Sequence, residues 1–270
     1  MTVRVMLVSP AMNAALREAR FDGDAPLDRA GERSARAAAS ALPKAGPVLS
    51  GPSERCLGTA AALGLTATPE PALTGWDLGR WSGRRLDEVG AAEPSAVAAW
   101  LGDPSAAPHG GESLRELVER VGRWLDGTVG GEAPGGSTEV PGGGGASGST
   151  KVPSRTETSS DAQVPGGTET SSDAQVPGGT ETSGGAQVPG GRETPDSTER
   201  LGGVLGPGGG SLLAVAEPAV VRSAVVHALA LPLEAFWRLD VAPLALTELS
   251  GRAGRWNVRL GRPLTASRDS

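Results

Sequence analysis

Few side chains in this sequence could do nucleophilic or acid–base chemistry, and most of them stand where an apolar run ends. The 270 residues contain two histidines and one cysteine, which leaves no material for an internal disulfide or a cysteine-based zinc site. The remaining candidates are polar or charged side chains. Ser9 and Pro10 follow VRVMLV, Arg55 follows the run VLS, Glu112 precedes a helix signal, and Glu217 ends SLLAVAE.

The elements that must position these side chains alternate between strand and helix. Apolar runs predict buried strands before Ser9, at Val48–Ser50 and from Ser211. Helices are predicted between them, one capped by Asp28 and another opened by the capping box that begins at Ser113. This alternation predicts a three-layer α/β domain with a mostly parallel sheet flanked by helices. Because ligands bind beyond the carboxyl ends of such strands, the candidate residues are expected to meet at one rim.

A long low-complexity stretch interrupts this pattern between residues 127 and 210. Val-Pro recurs there every twelve residues, and the best copies read VPGGTETSSDAQ. Each unit offers one valine and little else to bury, so the stretch is predicted to be a disordered insert. The sequence thus predicts one domain built from residues 1–126 and 211–263, with residues 264–270 as a tail.

Charge and hydropathy indicate which cellular environment and which classes of partner are expected. A net charge of −6 and the lack of a basic stripe disfavour nucleic acid as a partner. No run reaches the length of a membrane span, and the opening MTVRVMLVSP is interpreted as a buried strand and not as a signal peptide. With its single cysteine, the chain is expected in a reducing cytoplasm, without a membrane partner, a cofactor or a metal.

The motifs together resemble those of the histidine phosphatase superfamily, the phosphoglycerate mutase-like proteins. LVSPAMN stands where that family has an LVRHGET-like motif, and PLDRAG stands for its PLTERG. SGPSERCLGTAAAL, WDLGRWSGRRLDEV, HGGES and AVAEPAVVRSAV stand for its SSPLxRAxxTAxAL, its acidic-loop motif, its PGGES and its xVSHGGVIRAL. The resemblance covers nearly everything outside the insert and implies a phosphoglycerate mutase-like fold.

The resemblance also implies a site, which this chain keeps only in part. The family uses a histidine on the first turn as nucleophile, a second histidine after the late strand, two clamping arginines and an acidic proton donor. Arg55 matches a clamping arginine, and Glu112 matches the proton donor. Ser9 stands at the position of the other arginine, Pro10 at that of the nucleophile, and Glu217 at that of the second histidine.

These replacements change the chemistry that the site is expected to support. Proline has no side-chain nucleophile and no free N–H, so Pro10 cannot attack phosphorus. A carboxylate at Glu217 would repel a phosphate about 4 Å away by roughly 4 kcal/mol per unit charge. With Arg55 and Glu112, the pocket would carry a charge of about −1. The sequence therefore predicts that the phosphohistidine mechanism is absent, and that the domain is an inactive binding or regulatory one.

Two other functional readings stay open at this stage. An active phosphomonoesterase could use a displaced residue, such as His109 near the pocket rim, Ser9 with a neighbouring base, or the carboxylate of Glu217. His227, in contrast, is interpreted as a packing histidine on a helix face. Alternatively, an inert scaffold could display residues 127–210 as an interaction tether.

Overall fold

The structure, a computed structural model, describes residues 2–21, 24–129, 210–252 and 255–264. The predicted disorder of the insert and its repeat fall on residues 130–209, which lie outside these ranges, as does most of the predicted tail. Two predicted domain boundaries, at residues 126 and 263, lie within the described residues and can be compared with the structure. The helix that begins after Ser113 continues to Val129, beyond the predicted boundary at residue 126. Leu264, predicted to belong to the tail, is buried in the core.

The described residues form the strands and helices that the apolar runs predicted, with shifted ends. The strands are β1 (Val3–Val8), β2 (Val48–Ser50), β3 (Thr68–Pro69), β4 (Ser211–Val215), β5 (Ala245–Arg252) and β6 (Arg255–Pro263). The α-helices are α1 (Ala14–Arg17), α2 (Arg29–Ala38), α3 (Glu54–Ala62), α4 (Leu86–Ala92), α5 (Pro94–Gly102), α6 (Leu114–Val129) and α7 (Pro218–Ala228). The short strand β3 was not predicted, because two residues are too few to show an alternating pattern.

The six strands form one sheet in the order β3-β2-β4-β1-β5-β6. The first four are parallel to one another, whereas β5 and β6 add an antiparallel pair beside β1. The predicted fold class is therefore confirmed, with a mixed sheet whose parallel part contains β1, β2 and β4. These three strands lie side by side, so the residues that follow them share one rim.

Side chains of β1 alternate between two cores, one on each face of the sheet. Val5 and Leu7 pack with α6 and α7, whereas Met6 and Val8 pack with α2 and α3. Because successive side chains of a strand point to opposite faces, an almost wholly apolar strand must be covered on both sides. This pattern produces the three layers and places β1 and β4 at the centre of the domain.

Local capping residues fix where the helices begin. The Asp28 side chain accepts hydrogen bonds from the N–H groups of Ala30 and Gly31, as predicted for an N-cap. Ser113 and Glu116 form the predicted capping box, with Ser113 N–H donating to Glu116 Oε2 at 2.8 Å and Glu116 N–H donating to Ser113 Oγ at 3.2 Å. The start of α6 is thereby fixed directly after Glu112.

Candidate functional site

The parallel part of the sheet brings three of the predicted site residues to one rim. In the register of the sheet, Val215 of β4 lies between Val8 of β1 and Ser50 of β2. Pro10, Glu217 and Arg55 follow these strands at their carboxyl ends. Residue 217 is therefore the middle of the three, and its side chain can reach the start of α3.

A buried ion pair joins Glu217 and Arg55. Arg55 Nε donates to Glu217 Oε1 at 3.2 Å, and Arg55 Nη2 forms an ion pair with Glu217 Oε2. Ser53 Oγ donates to the same Oε1 at 2.9 Å, and the Cys56 thiol lies 3.4 Å from it. Arg55 and Glu217 are only 2% and 3% exposed. The Arg55 guanidinium is thus engaged by a carboxylate of the protein itself.

Ser9 and Pro10 are both buried, and Ser9 uses its hydroxyl for the backbone. Its Oγ donates to the carbonyl oxygen of Ala242 and accepts a hydrogen bond from Ala245 N–H at 3.0 Å. These contacts attach the end of β1 to the chain that enters β5. Ser9 therefore has a clear structural role, and neither His109 nor His227 is among the hydrogen-bond partners that the structure gives it.

Glu112 is held by an arginine that the sequence did not single out. Arg120 Nε and Nη2 contact Glu112 Oε1 and Oε2, each at 2.8 Å. The same guanidinium donates from Nη1 to the carbonyl oxygens of Ala72 at 2.8 Å and Thr74 at 3.0 Å. Arg120 stands two turns along α6 from Glu112, so it links the start of this helix to residues 72–75. A two-point ion pair of this kind fixes the carboxylate in one orientation.

Two neighbouring concavities open at this rim. The larger, of about 460 Å³, is lined by Asp24, Pro52, Ser53, Thr74, Gly75, Trp76, Asp77 and Glu217. The smaller, of about 370 Å³, is lined by Asp77, Gly111, Glu112, Glu116, Glu119, Arg120 and Arg123. Arg55 and Glu217 are thus brought together as predicted, but Glu112 lines a separate concavity, with Asp77 on the wall between the two.

The larger concavity is acidic. Among the described residues that line it, three carry carboxylates and none is basic. The charge of Glu217 is matched by Arg55, and Asp24 and Asp77 are the two other carboxylates of this lining. Asp24 Oδ1 also accepts the N–H of Glu54 at 2.7 Å, at the beginning of α3. A phosphate entering this space would meet carboxylates in place of cations.

The prediction of His109 at the pocket rim is wrong. His109 is 1% exposed, and its ring centroid lies 5.1 Å from that of Trp81. Its Nδ1 accepts a hydrogen bond from Gly111 N–H at 3.1 Å. Burial lowers the pKa of His109, because a charged imidazolium would lose its hydration there.

His227 lies on a helix face, as its position in α7 predicted. Its Nε2 is 3.0 Å from Asp126 Oδ2 on α6, and its ring packs over Gly122. Neither histidine lines the two concavities. Within the described ranges, no group of three or more His, Cys, Asp or Glu side chains could hold a metal ion. No helix in that part of the chain is long and apolar enough to cross a membrane.

Three side chains of the site were missed from the sequence. Ser53 could have been found, since it is the N-cap of α3, where Ser is a preferred residue. Arg120 and Asp77 carry no comparable signal. Arg120 resembles any arginine on the polar side of an amphipathic helix, and Asp77 any loop aspartate, so only the folded chain distinguishes them.

Sequence comparison finds similarity to known proteins in part of the chain. A model of the histidine phosphatase superfamily (branch 1) matches residues 11–137. A glucosyl-3-phosphoglycerate phosphatase of Mycolicibacterium vanbaalenii is 40% identical over 103 residues, which are 36% of this chain and 46% of that protein. The bifunctional protein Rv2228c of Mycobacterium tuberculosis is 31% identical over 137 residues, which are 47% of this chain and 38% of that protein. The chain thus spans less than half of either relative.

Solved structures extend the likeness to the whole fold. A mycobacterial glucosyl-3-phosphoglycerate phosphatase has a TM-score of 0.61 at 20% identity, with 97% of this chain and 100% of that chain covered. The alpha-ribazole phosphatase of Shigella flexneri also has a TM-score of 0.61, at 15% identity, with 99% of this chain and 100% of that chain covered. At such identities the likeness establishes a common fold.

Proposed function

We propose that this chain, which belongs to the histidine phosphatase superfamily, is a noncatalytic member that acts as a binding or regulatory domain. The observation that carries the proposal is the buried ion pair between Glu217 and Arg55. It occupies, from within the protein, the place where a phosphoryl group would be clamped. Pro10 stands on the neighbouring strand end, at the position of the family's nucleophile.

Phosphoryl transfer would need a nucleophile, and three described candidates beside the pocket, Pro10, Ser9 and Cys56, are poorly suited to that role. The ring nitrogen of Pro10 belongs to a peptide bond, and its lone pair is delocalised into the carbonyl group, so it is not a nucleophile for phosphorus. The hydroxyl of Ser9 is engaged by backbone groups of Ala242 and Ala245. The Cys56 thiol is buried, 3.4 Å from Glu217 Oε1, and is not among the described residues that line either concavity.

The larger concavity supports a binding role for something other than a phosphate. Its volume of about 460 Å³ is in the range of small-molecule sites. Asp24 and Asp77 give it negative charge, and Trp76 provides an apolar wall. A phosphomonoester would be repelled by these carboxylates, whereas an uncharged or positively charged group would not.

Hydrolysis of a generic phosphomonoester tests the loss of catalysis. We expect no turnover by the wild-type protein above the rate without protein, and no change in Arg55→Ala. An Arg33→Ala variant, altered on the exposed side of α2 and away from both concavities, serves as the matched control. Turnover that disappears in Arg55→Ala and persists in Arg33→Ala would favour the active phosphomonoesterase instead.

Restoring the histidines tests whether the pocket still has the geometry of a phosphatase. The double variant Pro10→His with Glu217→His introduces histidine at both positions where the family motif has it. It also removes the carboxylate that pairs with Arg55. We expect phosphomonoester hydrolysis and stabilisation by vanadate in this variant only. Ser9→Arg should be left out, because Ser9 is fully buried and binds the chain that enters β5. A folded double variant that binds no vanadate would contradict the proposed origin of the pocket.

A further inference from the structure

Two chain segments form the wall between the concavities, and they are held together by their backbones. Arg80 N–H donates to the carbonyl oxygen of His109 at 3.0 Å, and Glu112 N–H donates to that of Asp77 at 2.8 Å. The segments 77–80 and 109–112 approach so closely that a Cβ added at Gly111 would lie 2.3 Å from Asp77 O. A change in either segment would therefore displace Asp77 and Glu112 together.

The ring of His109 accepts a hydrogen bond within the second of these segments, residues 109–112. Gly111 N–H donates to His109 Nδ1 at 3.1 Å, so Nδ1 must present its lone pair. The neutral ring then carries its proton on Nε2. If Nδ1 took up a proton, two N–H groups would face each other across this contact. The hydrogen bond and the charged ring exclude each other.

The surroundings of His109 favour the neutral ring at neutral pH. The ring is buried between Trp81 and Trp100, with centroid distances of 5.1 Å and 6.5 Å. Burial lowers its pKa most, and the positive charge of Arg80 lowers it further, whereas Asp77 acts in the opposite direction. Glu93, at the beginning of α5, forms an ion pair with Arg80 and hydrogen-bonds Trp81 Nε1, so it reduces the effect of Arg80.

We propose that His109 is a pH-sensitive latch on the wall between the two concavities. A proton taken from solvent binds the Nδ1 lone pair, the Gly111 N–H loses its acceptor, and residues 109–112 separate from residues 77–80. Asp77 and Glu112 then move, so the shape and charge of both concavities change in acid. This latch depends on the segment geometry and not on whether the pocket is noncatalytic.

The protein suits a direct test, because His109 and His227 are its only histidines. Ring 15N and 13C NMR of the wild-type protein should show His109 as the neutral Nε2–H form at pH 7. It should titrate below about pH 6.5, the unperturbed value for histidine. The amide signals of Gly111 and Glu112 should shift with the same midpoint. Their protection from hydrogen exchange should fall about tenfold or more as the ring becomes charged.

Two matched variants separate the latch from ordinary acid effects. His109→Asn places an acceptor oxygen near the position of Nδ1 and cannot be protonated, so the shifts at Gly111 and Glu112 should disappear. His227→Asn alters the other, partly buried histidine, between α6 and α7, and should leave them unchanged. If the two amides do not follow the titration of His109 in the wild-type protein, the proposal is overturned. It is also overturned if the pH response persists in a folded His109→Asn variant.

Discussion

Replacing Glu217 by glutamine would test the ion pair on which the proposed function rests. The substitution keeps the size of the side chain and an oxygen that can accept from Ser53 Oγ, but it removes the charge that matches Arg55. Both side chains of the pair are almost fully buried, at 2% and 4% exposed. Removing one partner of a buried pair costs about 3–5 kcal/mol, because the other charge stays desolvated.

We expect Glu217→Gln to lose about 3 kcal/mol of unfolding free energy, at the lower end of that range, since the amide keeps part of the hydrogen bonding. Urea denaturation followed by circular dichroism measures this loss. The double variant Arg55→Met with Glu217→Gln provides the control. It has no buried charge at this position and should be more stable than Glu217→Gln alone.

Phosphate should restore stability to the single variant only. With the internal carboxylate neutralised, an anion can take its place beside Arg55, and at ten times its dissociation constant it would add about 1.4 kcal/mol. The wild-type protein and the double variant should not respond. A loss below about 1 kcal/mol in Glu217→Gln, with no response to phosphate, would refute the interpretation of this pair as a closed phosphoryl clamp.

Three further substitutions test other contacts of the site by urea denaturation. Arg120→Ala removes charged hydrogen bonds to Glu112 and to two carbonyl groups and should cost about 2–3 kcal/mol, whereas the exposed Arg123→Ala on the same helix should stay within about 0.5 kcal/mol of the wild type. Ser9→Ala leaves Ala245 N–H without its acceptor and should cost about 1–3 kcal/mol of unfolding free energy. An unchanged unfolding free energy would show that the Ser9 hydroxyl has no structural role. Gly122→Ala places a Cβ 2.3 Å from His227 Nδ1 and should destabilise the α6–α7 contact, whereas Gly127→Ala, with nothing within 4 Å, should be neutral or stabilise α6 by up to about 1 kcal/mol.

Local signals in the sequence predicted the elements well. Three such signals are the apolar run VRVMLV, the N-cap Asp28 and the capping box at Ser113. Each acts within a few residues, so the strand or helix start that it specifies can be predicted without knowing the fold. Element ends were less accurate, because the last turns depend on tertiary contacts. The helix that begins after Ser113, for example, continues to Val129, beyond the predicted domain boundary at residue 126.

For the site, too, the sequence was informative about residue identity, whereas contacts between residues distant in sequence needed the structure. The sequence by itself determined that histidine is missing from positions 10 and 217, because identity at a motif position needs no coordinates. Only the tertiary structure decided that Glu217 pairs with Arg55, 162 residues away, and that Arg120 holds Glu112. It also decided that His109 is buried beside Trp81 and lines neither concavity. These contacts depend on how strands and helices distant in sequence pack together, and such packing leaves no periodic or compositional pattern in the chain.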